Sequence, residues 1–136
     1  MYRRGPVLGR AGGDCYVVAM TSVTDLVKRY YTTVDAGDPV ATSALFAADA
    51  SYDRPGYPTM VGQQITDFYL GARVIESGAH ELTEILVDRS HAASRGIFAG
   101  RLKDGSETRV GFSDFFRFDD DGLIAERTTY FYAPAV

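Results

Sequence analysis

The run MTSVTDLVKRYYTTVDAGDPVATSALFAADASYDRPGYPTMVGQQITDFY, residues 20–69, reads as two helices, a bent strand and the opening of a third helix. Val23, Leu26, Val27, Tyr30 and Val34 follow the spacing of one helical face, which predicts a helix over 22–36. Thr21 or Ser22 can cap its start, and Gly37 suits the left-handed residue that ends it. Asp38-Pro39 then opens a second helix, with aspartate as cap and proline at the first helical position. That helix is expected over 38–46, with Val40, Leu45 and Phe46 packed back on the first. Residues 50–53 are strand-like, and Pro55-Gly56 breaks the strand sharply. A third helix is expected over 62–75, with Ile65, Phe68, Tyr69 and Ala72 on one face.

The remainder is β. The stretches 80–88, 93–102, 108–118 and 123–132 are rich in β-branched or aromatic residues. Asp104-Gly105 and Asp121-Gly122 separate the last three as hairpin signals. Three helices followed by an antiparallel meander, with one earlier strand, make an α+β architecture. At 136 residues the chain is expected to form one domain over 20–136, preceded by an N-terminal extension, 1–19, that carries no sustained period and is expected to be disordered. Met20 followed by Thr21-Ser22 reads as a natural start for the folded part.

The formal charge of −4 disfavours nucleic acid, whose phosphates reward a basic face. No run approaches the roughly 18 apolar residues that a membrane span needs. Cys15 is the only cysteine, so no internal disulfide can form and a cytoplasmic location is expected. No Cys/His set has metal-ligand spacing, and neither a metal nor a cofactor is expected. His80 and His91 are expected at the surface.

Arg29-Tyr30-Tyr31-Thr32-Thr33-Val34-Asp35-Ala36-Gly37-Asp38 and Asp114-Phe115-Phe116-Arg117-Phe118-Asp119 carry a family resemblance. Over roughly 20–132 the chain resembles the ketosteroid isomerase-like and SnoaL-like superfamily, which also contains nuclear transport factor-like proteins. The resemblance implies a cone-shaped fold, three N-terminal helices on a curved, mostly antiparallel sheet around one pocket. It also implies that Tyr30 and Asp114 form a hydrogen-bonding pair at the pocket floor. The isomerases of this superfamily place an aspartate, their general base, directly before a proline in the bent first strand. Here that dipeptide is Arg54-Pro55, and arginine, with a pKa above about 12, cannot take a proton at neutral pH. The epoxide hydrolases of the superfamily use an Asp-Arg-Asp group; Arg95 matches its arginine, but Ile97 and Thr129 stand where its aspartates would.

Strand alternation extends the list. Tyr52 and Arg54 are expected inward and Asp53 outward. With Asp114 inward, Phe112 and Phe116 share its face, Arg95, Ile97 and Ala99 follow from the preceding strand, and Arg127, Thr129 and Phe131 from the last. The expected catalytic group is Asp114, Tyr30 and Arg95. The expected substrate-binding group is Tyr52, Arg54, Tyr57, Phe68, Phe112, Phe116, Arg127, Thr129 and Phe131. A single aspartate cannot neutralise three inward arginines, so the ligand is expected to bring negative charge or enolate-like oxygens. The favoured function is a cofactor-independent cyclase or isomerase that moves protons on a small polyketide-like or polyoxygenated molecule. The alternatives are a non-catalytic binding or dimerisation module and an epoxide-opening hydrolase or cyclase. A small-molecule substrate and a homodimer are expected, with Val110 and Tyr130 on the pairing face.

Overall fold

The structure, a computed structural model, describes residues 7–9, 15–17 and 21–133. Within the expected extension, β1 (Val7–Gly9) and β2 (Cys15–Val17) pair antiparallel, and its other residues lie outside the described ones. Helix α1 (Val23–Asp35) starts where the Ser22 hydroxyl accepts from the Asp25 amide at 3.1 Å. It ends at Gly37, whose φ of 74° only glycine adopts without strain. Its buried stripe is Val23, Leu26, Val27, Tyr30, Tyr31 and Val34, which adds Tyr31 to the face expected from periodicity.

The other helices are shorter than the pattern suggests. Helix α2 (Pro39–Ser43) is capped by Asp38, which accepts from Ala41 N at 2.9 Å, but it ends well before Phe46. Phe46 instead begins β3 (Phe46–Asp53), and Val40 points to solvent. Beyond the two-residue β4 (Met60–Val61), α3 (Gln63–Asp67) passes into a π-helical turn, Phe68–Ala72. The third helix does not reach the α-helical length expected over 62–75, because Arg73 N bonds back to Phe68 O and closes the wider π-type loop.

Strands β5 (Ile75–Asp88), β6 (His91–Leu102), β7 (Glu107–Phe118) and β8 (Ile124–Phe131) complete the fold. The large sheet is mixed and six-stranded, in the order β4-β3-β8-β7-β6-β5. Only the β3–β8 pairing is parallel, which sets Tyr52 beside Arg127 in the centre of the sheet. The helices cover one face, and aromatic residues from α1, β3, the π-turn and β7 fill the space between.

The β6–β7 hairpin decides which side chains reach that space. A two-residue Asp104-Gly105 turn would set Asp114 opposite Arg95. The loop takes three residues instead: Leu102 N bonds Ser106 O at 2.8 Å, and Gly105, with φ 89°, supplies the left-handed position. Ser94 therefore stands opposite Asp114, and Ala92, Ser94, Gly96 and Phe98 are the inward residues of β6. The shift of one residue turns Arg95, Ile97 and Ala99 off that face.

Candidate functional site

Asp114, only 1% exposed, is the centre of the buried polar group. It accepts from Thr129 Oγ1 at 2.5 Å, from Arg127 Nη2 at 2.9 Å and from the Tyr31 hydroxyl. Cross-strand pairing places it beside Thr129 on one side and Ser94 on the other. The Ser94 and Tyr31 hydroxyls lie 2.7 Å apart, so α1 is tied to the middle of the sheet at this point. Asp114 does meet a tyrosine of α1, but the expected partner is corrected. Tyr30 turns one step around the helix, and its hydroxyl lies 2.6 Å from that of Tyr69. Tyr31 completes the i, i+4 step from Val27, a spacing that the sequence already held.

Arg127 is buried, and its guanidinium lies 4.3 Å from the Tyr30 ring centre and 4.7 Å from that of Tyr52. Burial opposes its charge, but the Asp114 carboxylate and the surrounding phenols outweigh that and hold its pKa well above the usual value. Arg54 has no such carboxylate. It donates from Nη1 to the Tyr52 hydroxyl at 3.0 Å, while its Nε and Nη2 are buried without a hydrogen-bond partner. The rings of Phe131, Phe68 and Tyr57 surround it at 5.1, 5.3 and 5.8 Å.

His80 is a member of the site that the sequence reading missed. Its Nδ1 lies 2.5 Å from Asp35 Oδ1, and its backbone amide donates to Asp35 Oδ2 at 2.8 Å. The ring packs between Tyr31, Phe98 and Phe112. Asp35 at the end of α1 and His80 near the start of β5 are separated by 45 residues, so no local spacing signals the pair.

Asp114, Arg127, Arg54, His80, Tyr30, Tyr69, Thr129 and Phe131 line one internal cavity of ≈ 20 Å³, room for about one water. Tyr52, Phe68, Phe112 and Phe116 are buried behind that lining, and Tyr57 is half-buried. Tyr69, Arg73 and Ile75 also border a groove of ≈ 270 Å³ between α2 and the π-turn, so they form the wall between groove and cavity. Arg95 is not part of this group. It lies on the opposite face of the sheet, exposed, with its Nε 3.0 Å from Glu84. Among the described residues no cluster of His, Cys, Asp and Glu could hold a metal ion, and no helix is long and apolar enough to cross a membrane.

The tyrosines are expected to titrate in two classes. Burial raises Tyr30, Tyr31 and Tyr69 above the ordinary phenol value. Burial would raise Tyr52 too, but Arg127 and Arg54 outweigh it and bring that phenol below the ordinary value. Ionising Tyr52 therefore favours the fold as pH rises through its lowered pKa. The other three favour the fold while neutral and lose that contribution as pH rises above about 10. Phenolate absorbance should show an early tyrosine that disappears in Tyr52→Phe. An unchanged early phase in that variant would rule out this assignment.

The SnoaL-like domain model matches residues 27–127. The fold matches SalBIII, an epoxide hydrolase/cyclase-like enzyme in pyran ring formation in polyether salinomycin, with a TM-score of 0.71. Identity to it is 15%, over 80% of this chain and 89% of that one. It also matches a hypothetical protein with a ketosteroid isomerase-like fold from Catenulispora acidiphila DSM 44928, solved in complex with trimethylamine. There the TM-score is 0.69 and the identity 22%, over 78% of this chain and 84% of that one. No curated protein matches the sequence.

Proposed function

The chain belongs to the SnoaL-like domain family, and from that membership we propose a cofactor-independent cyclase or isomerase that moves protons on a small polyoxygenated molecule. The observation that carries this reading is a carboxylate, Asp114, lining an aromatic-walled cavity beside Arg127, Arg54 and the Tyr30–Tyr69 hydroxyl pair. Asp114 takes a proton from the ligand and returns it. Negative charge that develops on a ligand oxygen is met by the phenols and by Arg54, donors already fixed by the fold. Tyr31 and Thr129 hold the carboxylate in place. Arg95, on the far face, has no part in it.

A cavity of ≈ 20 Å³ admits no polyketide-sized ligand as it stands. Entry parts the wall formed by Tyr69, Arg73 and Ile75 and joins the cavity to the neighbouring groove. The trimethylamine held by the Catenulispora protein has no counterpart in this lining, where Arg54, Arg73 and Arg127 face a single carboxylate, Asp114.

The reading is tested by releasing whatever small molecule co-purifies, returning it to fresh protein in heavy water and following it by mass spectrometry. Deuterium at a ligand carbon, or a ring-closed or isomerised product, is the expected result. Tyr31→Phe, which removes one of the hydroxyls that hold the Asp114 carboxylate, should slow it by about tenfold, the weight of one hydrogen bond to a charged group. A ligand returned unchanged and without deuterium would leave the non-catalytic binding module.

One observation supports self-association. Phe115, Tyr130 and Leu86 are exposed on the outer face of the sheet, where Leu86 and Phe115 border an apolar groove of ≈ 320 Å³ that reaches exposed Val87 at the end of β5. Val110, expected there, is buried in the core, because it shares the inward face of β7 with Phe112 and Asp114. A homodimer through this face should dissociate in Phe115→Glu by light scattering, and a monomeric parent protein would exclude it.

A further inference from the structure

We infer that Arg54 seats a carboxylate of the ligand, a reading that rests on the small-molecule site proposed above and gives the charge of what enters it. The guanidinium is planar, and its Nε–H and one Nη2–H point the same way along one edge. That edge is the one that takes both oxygens of a carboxylate at once. In Arg54 both atoms of this edge are buried without a hydrogen-bond partner, whereas Nη1 is used by Tyr52. Arg54 is only 7% exposed and lines the cavity, so the unmet edge belongs to the interior.

The charges of the cavity point the same way. Asp114 is matched by Arg127, at 2.9 Å, and Asp35 is hydrogen-bonded to His80, with its Oδ1 2.5 Å from the ring Nδ1. Arg54 has no ion pair among the described residues, and the rings of Phe131, Phe68 and Tyr57 keep it from water. A buried cation left in this state is unfavourable, and a ligand with one negative charge relieves that on binding. A neutral ligand leaves the edge unmet, and a cation adds repulsion. Two oxygens in one plane satisfy Nε and Nη2 together, so a carboxylate fits better than a spherical anion. The part of the ligand beyond its carboxylate then extends toward Asp114 and the Tyr30–Tyr69 pair, which line the same space.

The probes are the two smallest carboxylates, formate and acetate, each against its amide, with chloride at equal ionic strength. The readout is the side-chain Nε–H signal of Arg54 in isotope-labelled full-length protein, assigned by its loss in Arg54→Lys. The expected result is a saturable shift of that signal with either carboxylate, absent with formamide, acetamide and chloride. Arg54→Lys, followed by the backbone amide signals that carboxylate shifts in the unaltered protein, keeps the charge but not the paired edge and should weaken carboxylate binding about tenfold, one charged hydrogen bond. The amide comparison on the unaltered protein stands even where that variant does not fold. Amides that bind as well as carboxylates, carboxylate binding that leaves Nε–H unmoved, or no saturable binding would each overturn the inference. A seated carboxylate without deuterium exchange on the native ligand would remove the enzyme reading and leave this site intact. Exchange on a neutral ligand, with no carboxylate bound, would do the reverse.

Discussion

Asp114→Leu is expected to destabilise the protein by about 3–5 kcal/mol, and adding Arg127→Met should recover most of that loss. Asp114 and Arg127 are 1% and 4% exposed, so neither group can turn to water when its partner goes. Without the carboxylate, Arg127 keeps only a 3.5 Å contact from Nη1 to the Tyr69 hydroxyl, and its Nε is already unmet. Arg127→Met alone should cost less. It leaves Asp114 with the Thr129 and Tyr31 hydroxyls, and a thioether suits the space between the Tyr30 and Tyr52 rings. Urea unfolding of the parent, both single variants and the double variant gives the coupling directly. A loss under about 1 kcal/mol in Asp114→Leu would mean that water reaches the pair, contrary to its burial here.

The same pair shows what the sequence made legible. Asp114 inside an aromatic strand, and Tyr52 and Arg54 alternating with Asp53, follow from period-two patterning, and all point as that pattern requires. The α+β class follows from the order of periods along the chain. Arg95 did not come out because its orientation depends on whether the Asp104-Gly105 turn closes on two residues or three. The Lys103-Asp104-Gly105 sequence is compatible with both, and a step of one residue exchanges the faces of a strand. Tyr30 and Tyr31 are adjacent on one helix, and both are buried, so periodicity alone could not choose which reaches Asp114. The His80–Asp35 pair depends on how far β5 extends toward α1. The glycine and alanine at the start of β5 gave no strand signal there, and the strand begins at Ile75 rather than near 80. The short helices have a similar cause: Phe46 is claimed by the sheet, where it pairs with Ile124.

Gly96→Ala is the other substitution expected to have a large effect, at about 3 kcal/mol or more, the upper part of what overpacking costs. The register of β5 against β6 slips by one residue between Leu82 and Glu84, leaving Thr83 unpaired as a bulge. At that point β5 leans over Gly96. A Cβ built there would lie 2.0 Å from Glu81 O, 2.9 Å from Glu81 C and 3.1 Å from Leu82 Cα. All three are backbone atoms, so no rotamer change can relieve the clash and β5 itself must move. His80 precedes Glu81, and its two bonds to Asp35 are the next contacts along that strand. The variant should therefore lose stability in urea and also shift the His80 ring signals, although the substituted residue does not touch that ring's partner. Gly71→Ala supplies the comparison: no heavy atom lies within 4 Å of its added Cβ, and its stability should stay within about 0.5 kcal/mol of the parent. Equal stability of the two variants would show that β5 does not approach β6 as closely as the bulge requires.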